Sequence, residues 1–123
     1  MSIATKAHDV ATLDKTLNDR ILAGDILGAF DEFYAPNVVM QENNTEPFAG
    51  KEVNRERELK FLASVEKIHK GAVLASAVNG DVTFSQWEMD IAFKGGNRVK
   101  MEQVAVRHWE NGKVVQERFY YKG

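Results

Sequence analysis

A chain of 123 residues, 44% hydrophobic and 28% charged, has the size and balance of one globular domain with a real core. Its net charge of −2, with acids and bases interspersed, leaves no basic footprint for nucleic acid, and no apolar run approaches the roughly 18–20 residues of a membrane span. The lack of cysteine excludes disulfides and thiolate chemistry, the opening MSIATKAHDV has no signal-peptide apolar core, and a reducing, cytoplasmic setting is the expectation.

The first helical pattern runs over residues 7–23, with Val10, Leu13, Leu17 and Ile21 at helical spacing and Asp9 and Asp14 early. Gly24 is placed to end it and Asp25 to cap a second helix over residues 26–33, which offers Ile26, Leu27, Phe30 and Phe33 to a core. Pro36 stops that helix. Residues 38–42 read as a short strand and residues 43–50 as loop, punctuated by Asn43-Asn44 and Pro47. A third helix follows from Lys51 to about Glu66; its charged start predicts solvated first turns, and Leu59, Phe61, Leu62 and Val65 predict a buried second half.

From Ile68 onward the period changes to two. Residues 72–78 form a strand, Asn79-Gly80 a turn, and residues 82–93 a strand alternating Trp87, Met89, Ile91 and Phe93 with Gln86, Glu88 and Asp90. Gly95-Gly96 leads into Arg98–Tyr121, two β-prone runs joined by Asn111-Gly112, a strong hairpin signal because a type I′ turn needs φ > 0 twice. Pairing Glu110 with Lys113 sets Val106 against Glu117, Val104 against Phe119 and Glu102 against Tyr121. A two-residue Gly95-Gly96 turn then puts Trp87, Met89, Ile91, Val104, Val106, Phe119 and Tyr121 on one face, and Arg107 and Arg118 on the other. A three-residue loop would instead turn Gln103 and Arg107 inward; agreement between the two hairpins favours the shorter loop. The order of helix, helix, strand, helix and four strands in antiparallel meander is α+β, helices packed on one face of a curved sheet, in a single domain over residues 1–123.

An apolar wall with isolated polar groups is how a ligand cavity is lined. Trp87, Met89, Val104, Phe119 and Tyr121 are therefore candidate ligand-binding residues, and Glu102, Glu117 and His108 candidate catalytic ones. Glu102, expected among Met89, Val104 and Tyr121, would have its pKa raised by desolvation. His108 and Glu117 lie diagonally across the hairpin, roughly 7–8 Å apart at the backbone, so that the carboxylate could orient the imidazole. His8 and His69 are isolated, no spacing suggests a metal site, no glycine-rich loop has phosphate-binding context, and no cofactor is implied.

Three stretches, AGDILGAFDEFYAPNVVMQEN, FAGKEVNRERELKFL and VRHWENGKVVQERFYY, resemble the SnoaL-like group within the nuclear-transport-factor-two-like fold. The resemblance implies a cone-shaped barrel of three N-terminal helices on a strongly curved, mostly antiparallel sheet, with a small-molecule ligand in the cone. It licenses no single reaction, because the group includes cyclases, isomerases, dehydratases, epoxide hydrolases and non-catalytic binders. The ketosteroid-isomerase positions fall on Gln41 for the base and near Leu17 and Ala105 for the oxyanion donors, none of which can do that work. Gln41 and its neighbour Glu42 remain candidate cavity residues, Glu42 entering if the first strand bulges.

Two readings stay open from the sequence. One is a cofactor-independent acid/base enzyme of isomerase, dehydratase or cyclase type on a small apolar or carbonyl substrate. The other is a non-catalytic ligand-binding or interaction module. Neither involves nucleic acid or membrane. A homodimer is expected through an outer sheet face bearing Gln86, Met101, Gln103, Trp109 and Tyr120.

Overall fold

The computed structural model describes residues 3–122, with side chains from Val10 onward. The side chains of His8 and Asp9 lie outside the described residues. Helix α1 (Ile3–Leu22) runs into α2 (Ile26–Phe33) through Gly24, whose φ of 94° lets the chain turn without a Cβ clash. Asp25 holds the N-cap position of α2 but makes no cap hydrogen bond; its carboxylate takes the Arg20 guanidinium instead. Strand β1 (Tyr34–Glu42) starts directly after α2 and contains Pro36, followed by the two-residue β2 (Phe48–Ala49) and α3 (Lys51–Ser64). The meander is β3 (Val65–Asn79), β4 (Val82–Phe93), β5 (Arg98–Glu110) and β6 (Lys113–Tyr121).

These strands form one sheet of order β2-β1-β6-β5-β4-β3, antiparallel throughout except where β1 runs parallel to β6. The helices take one face of it. Val10 and Leu17 of α1, Ala29, Phe30 and Phe33 of α2, Tyr34, Val38 and Met40 of β1, and Trp109 and Val114 of the last hairpin make the core. The expected burial of the second half of α3 is only partial: Asn54 is its buried residue, and Val53 and Leu59 are exposed.

The register differs from the expected one in two places, and each difference has a physical reason. Between β4 and β5 the loop is Lys94-Gly95-Gly96, three residues, closed by the Phe93 amide donating to the Asn97 carbonyl at 2.7 Å. Gly95 and Gly96 sit at φ 99° and 96°, which a glycine pair adopts without strain. Trp87 therefore faces Gln103 and Met89 faces Met101. Between β5 and β6 the Glu110–Lys113 and Trp109–Val114 pairs hold, but a bulge at Val115 sets His108 against Gln116 and Arg107 against Glu117. The bulge puts both Val114 and Glu117 on the helix-covered face, which strict alternation forbids.

Candidate functional site

On the inner face of the sheet, β5 now presents Gln103, Ala105, Arg107 and Trp109, and Arg107 is 2% exposed. A buried guanidinium needs anions and acceptors at its own depth. Its Nε donates to Glu117 Oε2 at 2.7 Å, and its Nη1 donates to Asp14 Oδ1 at 2.8 Å and Asn18 Oδ1 at 2.6 Å. Asp14 also accepts from Thr83 Oγ1 at 2.8 Å, and Thr83 accepts from the Trp109 indole at 2.9 Å. The Tyr34 hydroxyl lies 2.7 and 2.8 Å from the two Glu117 oxygens and donates to that carboxylate. Burial weakens the guanidinium's hold on its proton, but Tyr34, Glu117 and Asp14 more than reverse this, and the net shift is upward. Burial, then the charge of Glu117, lifts the Tyr34 phenol well above its usual range.

Helix α3 carries Asn54, Glu58 and Phe61 at helical spacing toward this network. Asn54 donates to the carbonyls of Phe48 and Gly50 and so ties the helix start to β2, and Phe61 meets Phe93 edge-on at 6.1 Å. Half-buried between them, Glu58 has its pKa pushed up to about 7, first by loss of solvent and then by the charge of Glu117, with Glu42 adding and Arg57 opposing. Beside it, Arg57 stacks over Phe48 at 3.9 Å and donates to Asn54 at 2.9 Å and to Glu42 at 3.3 Å. The Tyr121 hydroxyl donates to the other Glu42 oxygen at 2.8 Å; burial, then this bond, raises its pKa.

Several expected site residues are placed elsewhere. Glu102, Val104 and His108 are exposed on the outer face, because the longer Lys94–Gly96 loop inverts the facing of β5. Glu102 stands opposite Glu88 rather than Tyr121, and His108 opposite Gln116, on the other side of the sheet from Glu117. Gln41 also faces outward beside Arg118 and donates to the Thr45 carbonyl. Arg107 and Trp109, expected outside, are inside. Trp87 is buried, with its indole donating to Ser85 at 2.9 Å. Met89, Phe119 and Tyr121 are half-buried on the inner side, and so is Glu42, which enters past an irregularity of β1 between Tyr34 and Val39.

Asp14, Asn18, Tyr34, Glu58 and Arg107 join Glu117 here although none of them was a candidate site residue; Arg107 turns inward as the less favoured three-residue loop at Gly95-Gly96 requires. The signal was present for two of them: Asp14 and Asn18 sit within the apolar stripe Val10, Leu17, Ile21, where a polar side chain must meet a partner in the core. Two recesses open elsewhere. One of about 360 Å³ lies at the Met89–Met101 rung among Lys70, Glu88, Asp90, Lys100 and Glu102, the other of about 620 Å³ at the start of α3. Among the described residues no group of histidines and carboxylates is arranged to hold a metal, and no helix is long and apolar enough to cross a membrane.

The family model of the SnoaL-like domain matches residues 13–121. The chain belongs to the SnoaL-like family. A provisionally assigned SnoaL-like polyketide cyclase from Mesorhizobium loti is similar at 29% identity over 91% of this chain and 98% of that one, with a TM-score of 0.81. The same SnoaL-like fold recurs in an M. tuberculosis LEH-like epoxide hydrolase at 11% identity, covering 95% and 85% of the two chains with a TM-score of 0.78. It recurs again in a provisionally assigned isomerase from Bacillus subtilis at 11% identity, covering 94% and 87% with a TM-score of 0.76. No curated protein shows a significant sequence match.

Proposed function

We propose that this SnoaL-like domain is a cofactor-independent acid/base enzyme acting on a small carbonyl- or hydroxyl-bearing molecule held against the inner face of the sheet. The observation that carries the reading is the place of Glu58: half-buried beside the fixed Tyr34–Glu117–Arg107–Asp14 network, where loss of solvent and then the charge of Glu117 push its pKa up to about 7. A carboxyl group with that affinity can give or take a proton near neutral pH, as enolisation and dehydration require. It replaces Glu102 as the proton-transferring group of this reading. Glu117 stays in the site in a different role, as the anion pinned by Arg107 and Tyr34 that raises Glu58. The relatives bear the names cyclase, isomerase and epoxide hydrolase, which supports small-molecule chemistry without choosing the reaction. The test is deuterium wash-in at the α-carbon of a panel of small cyclic ketones, followed by NMR. The wild type should accelerate it and Glu58→Gln should abolish the acceleration; equal rates in the two proteins would remove Glu58 from the chemistry.

The rival reading, a non-catalytic binding or homodimeric module, draws on two observations. Among the described residues every buried side-chain nitrogen and oxygen already has a partner, as in a purely structural network. Both surface recesses also lie away from Glu58 and Glu117. Under that reading Glu58→Gln leaves ligand binding intact and no turnover exists to lose. Either reading is compatible with a homodimer through the outer sheet face.

A further inference from the structure

We propose that Arg107 anchors the ligand: the unused arm of its guanidinium, Nη2, donates to the carbonyl oxygen of a small neutral molecule lying on the open end of the inner sheet face. The inference deepens the acid/base reading and rests on it for the ligand's being a carbonyl compound. What decides it is a count of the N–H groups that Arg107 has already given away.

A guanidinium carries five N–H groups in a planar fork. In Arg107 three are used: that of Nε on Glu117, and the two of Nη1 on Asp14 and Asn18. The remaining two, both on Nη2, have no acceptor among the described residues. The carboxylates at hand are engaged otherwise, since Asp14 Oδ2 accepts from Asn18 and the Tyr34 hydroxyl sits between the two Glu117 oxygens. Every enclosed side-chain nitrogen and oxygen among the described residues has a hydrogen-bond partner. Nη2 has none, so it is not enclosed, and the 2% of Arg107 that is exposed includes it. Arg57 Nε also lacks an acceptor, but that side chain stands at the rim, 28% exposed. A charged donor unpaired at the depth of Arg107 is costly unless something binds to it.

The face around Arg107 is closed at one end and open at the other. Thr83, Trp109 and Val114 are buried. In the other direction Phe119, diagonal to Arg107 across the hairpin, is half-buried, and so are Met89, Met101, Gln103 and Tyr121 beyond it. Two thioethers and a phenyl ring make this open end mainly apolar. The charge of Arg107 is already matched by Glu117 and Asp14, so what Nη2 offers is a directed hydrogen bond, which a neutral oxygen can take. A carbonyl compound with an apolar body fits both features: its ring lies on the open end and its oxygen reaches Nη2. The same hydrogen bond draws charge onto that oxygen, as enolisation needs.

The experiment titrates cyclohexanone into the full chain near neutral pH and follows the guanidinium N–H signals by NMR. Methylenecyclohexane, the same shape with a methylene group in place of the oxygen, is the control. Cyclohexanone should shift the Nη2 protons of Arg107 and bind about tenfold or more tighter than the control, the effect expected of one hydrogen bond to a charged group. Arg107→Lys keeps a cation for Glu117 and Asp14, and its three N–H groups suffice for Glu117, Asp14 and Asn18 with none left over; it should bind the two probes alike. If that variant fails to fold, the wild-type measurement decides alone. Equal wild-type affinity for the two probes, or cyclohexanone bound with the Arg107 signals unmoved, overturns the anchor. Deuterium wash-in keeps the two readings apart. Wash-in that depends on Glu58 while the Arg107 signals stay still overturns the anchor and leaves the acid/base reading. Arg107 signals that move while Glu58→Gln exchanges as fast as the wild type overturn the acid/base reading and leave the anchor.

Discussion

Arg107 is the residue whose removal the molecule should tolerate least. Replacing it with methionine leaves Asp14 and Glu117 buried without a cation, and breaking such a pair from one side costs about 3–5 kcal/mol. Chemical denaturation should show that loss. The triple change Asp14→Leu, Arg107→Met, Glu117→Leu should recover most of it, because it is the orphaned charges that are expensive. Glu58 predicts a pH dependence of a definite sign. Its carboxyl has a value of 4.5 as a free group and about 7 in the fold, so between those values the native state holds a proton that the unfolded chain releases. The contribution of Glu58 to stability therefore falls as pH rises through that window. Glu58→Gln should flatten the decline and be the more stable protein above neutral pH; parallel stability curves for the two would sink the assignment. At this scale the sequence was legible where a polar residue broke an apolar stripe, as Asp14 and Asn18 do. It left Arg107 open, because the facing of that residue depends on the length of a loop far back along the strand, at Lys94–Gly96.

The elements show why that loop mattered. All three helices and all four meander strands were readable from period and punctuation, and Ile26–Phe33 and Val82–Phe93 matched their expected bounds. Facing was not readable, because period two fixes which residues travel together and leaves open which set goes inside. One added loop residue at Lys94–Gly96 and one bulge at Val115 each invert the answer, and neither leaves a mark in the hydrophobic pattern. Shortening the connection at its β5 end is thus a sharp test. Deleting Asn97 leaves Lys94-Gly95-Gly96 to close on Phe93 and Arg98, the pairing that sets Trp87 against Val104 and would point Arg107 outward and Val106 inward, so the variant must either lose its ion-pair network or unpair β4 from β5. Loss of cooperative thermal unfolding is the expected result. A variant that melts as the wild type does would mean that the loop does not set the register.

For the whole molecule, the register also redraws the outer face. Trp109, Met101 and Gln103 leave it for the inner side, while Val104 and Tyr120 stand opposite one another there, exposed at 37% and 44%, with Phe84, Val106 and Gln116 on the same face. An apolar and aromatic centre with a mixed-charge border has the anatomy of a protein interface, and a second copy of the chain is the occupant we expect. Sedimentation should give twice the protomer mass at micromolar concentration, and Tyr120→Glu should return it to one; a wild type that sediments as a monomer would rule the dimer out.

The Tyr34–Glu117 bond joins residues 83 positions apart, and the Arg107–Asp14 bond 93. The meander from β3 to β6 can zip up by neighbouring hairpins, but β1 must travel back across the chain to lie parallel to β6, carrying Tyr34 with it. Distant closures of this kind come late, because their loop entropy is lost before any contact offsets it. The chemistry-bearing interior would then be the last part of the protein to assemble on folding and the first to come apart. Arg107→Met should accordingly quicken unfolding while leaving the refolding rate nearly untouched, a φ-value close to zero by stopped-flow.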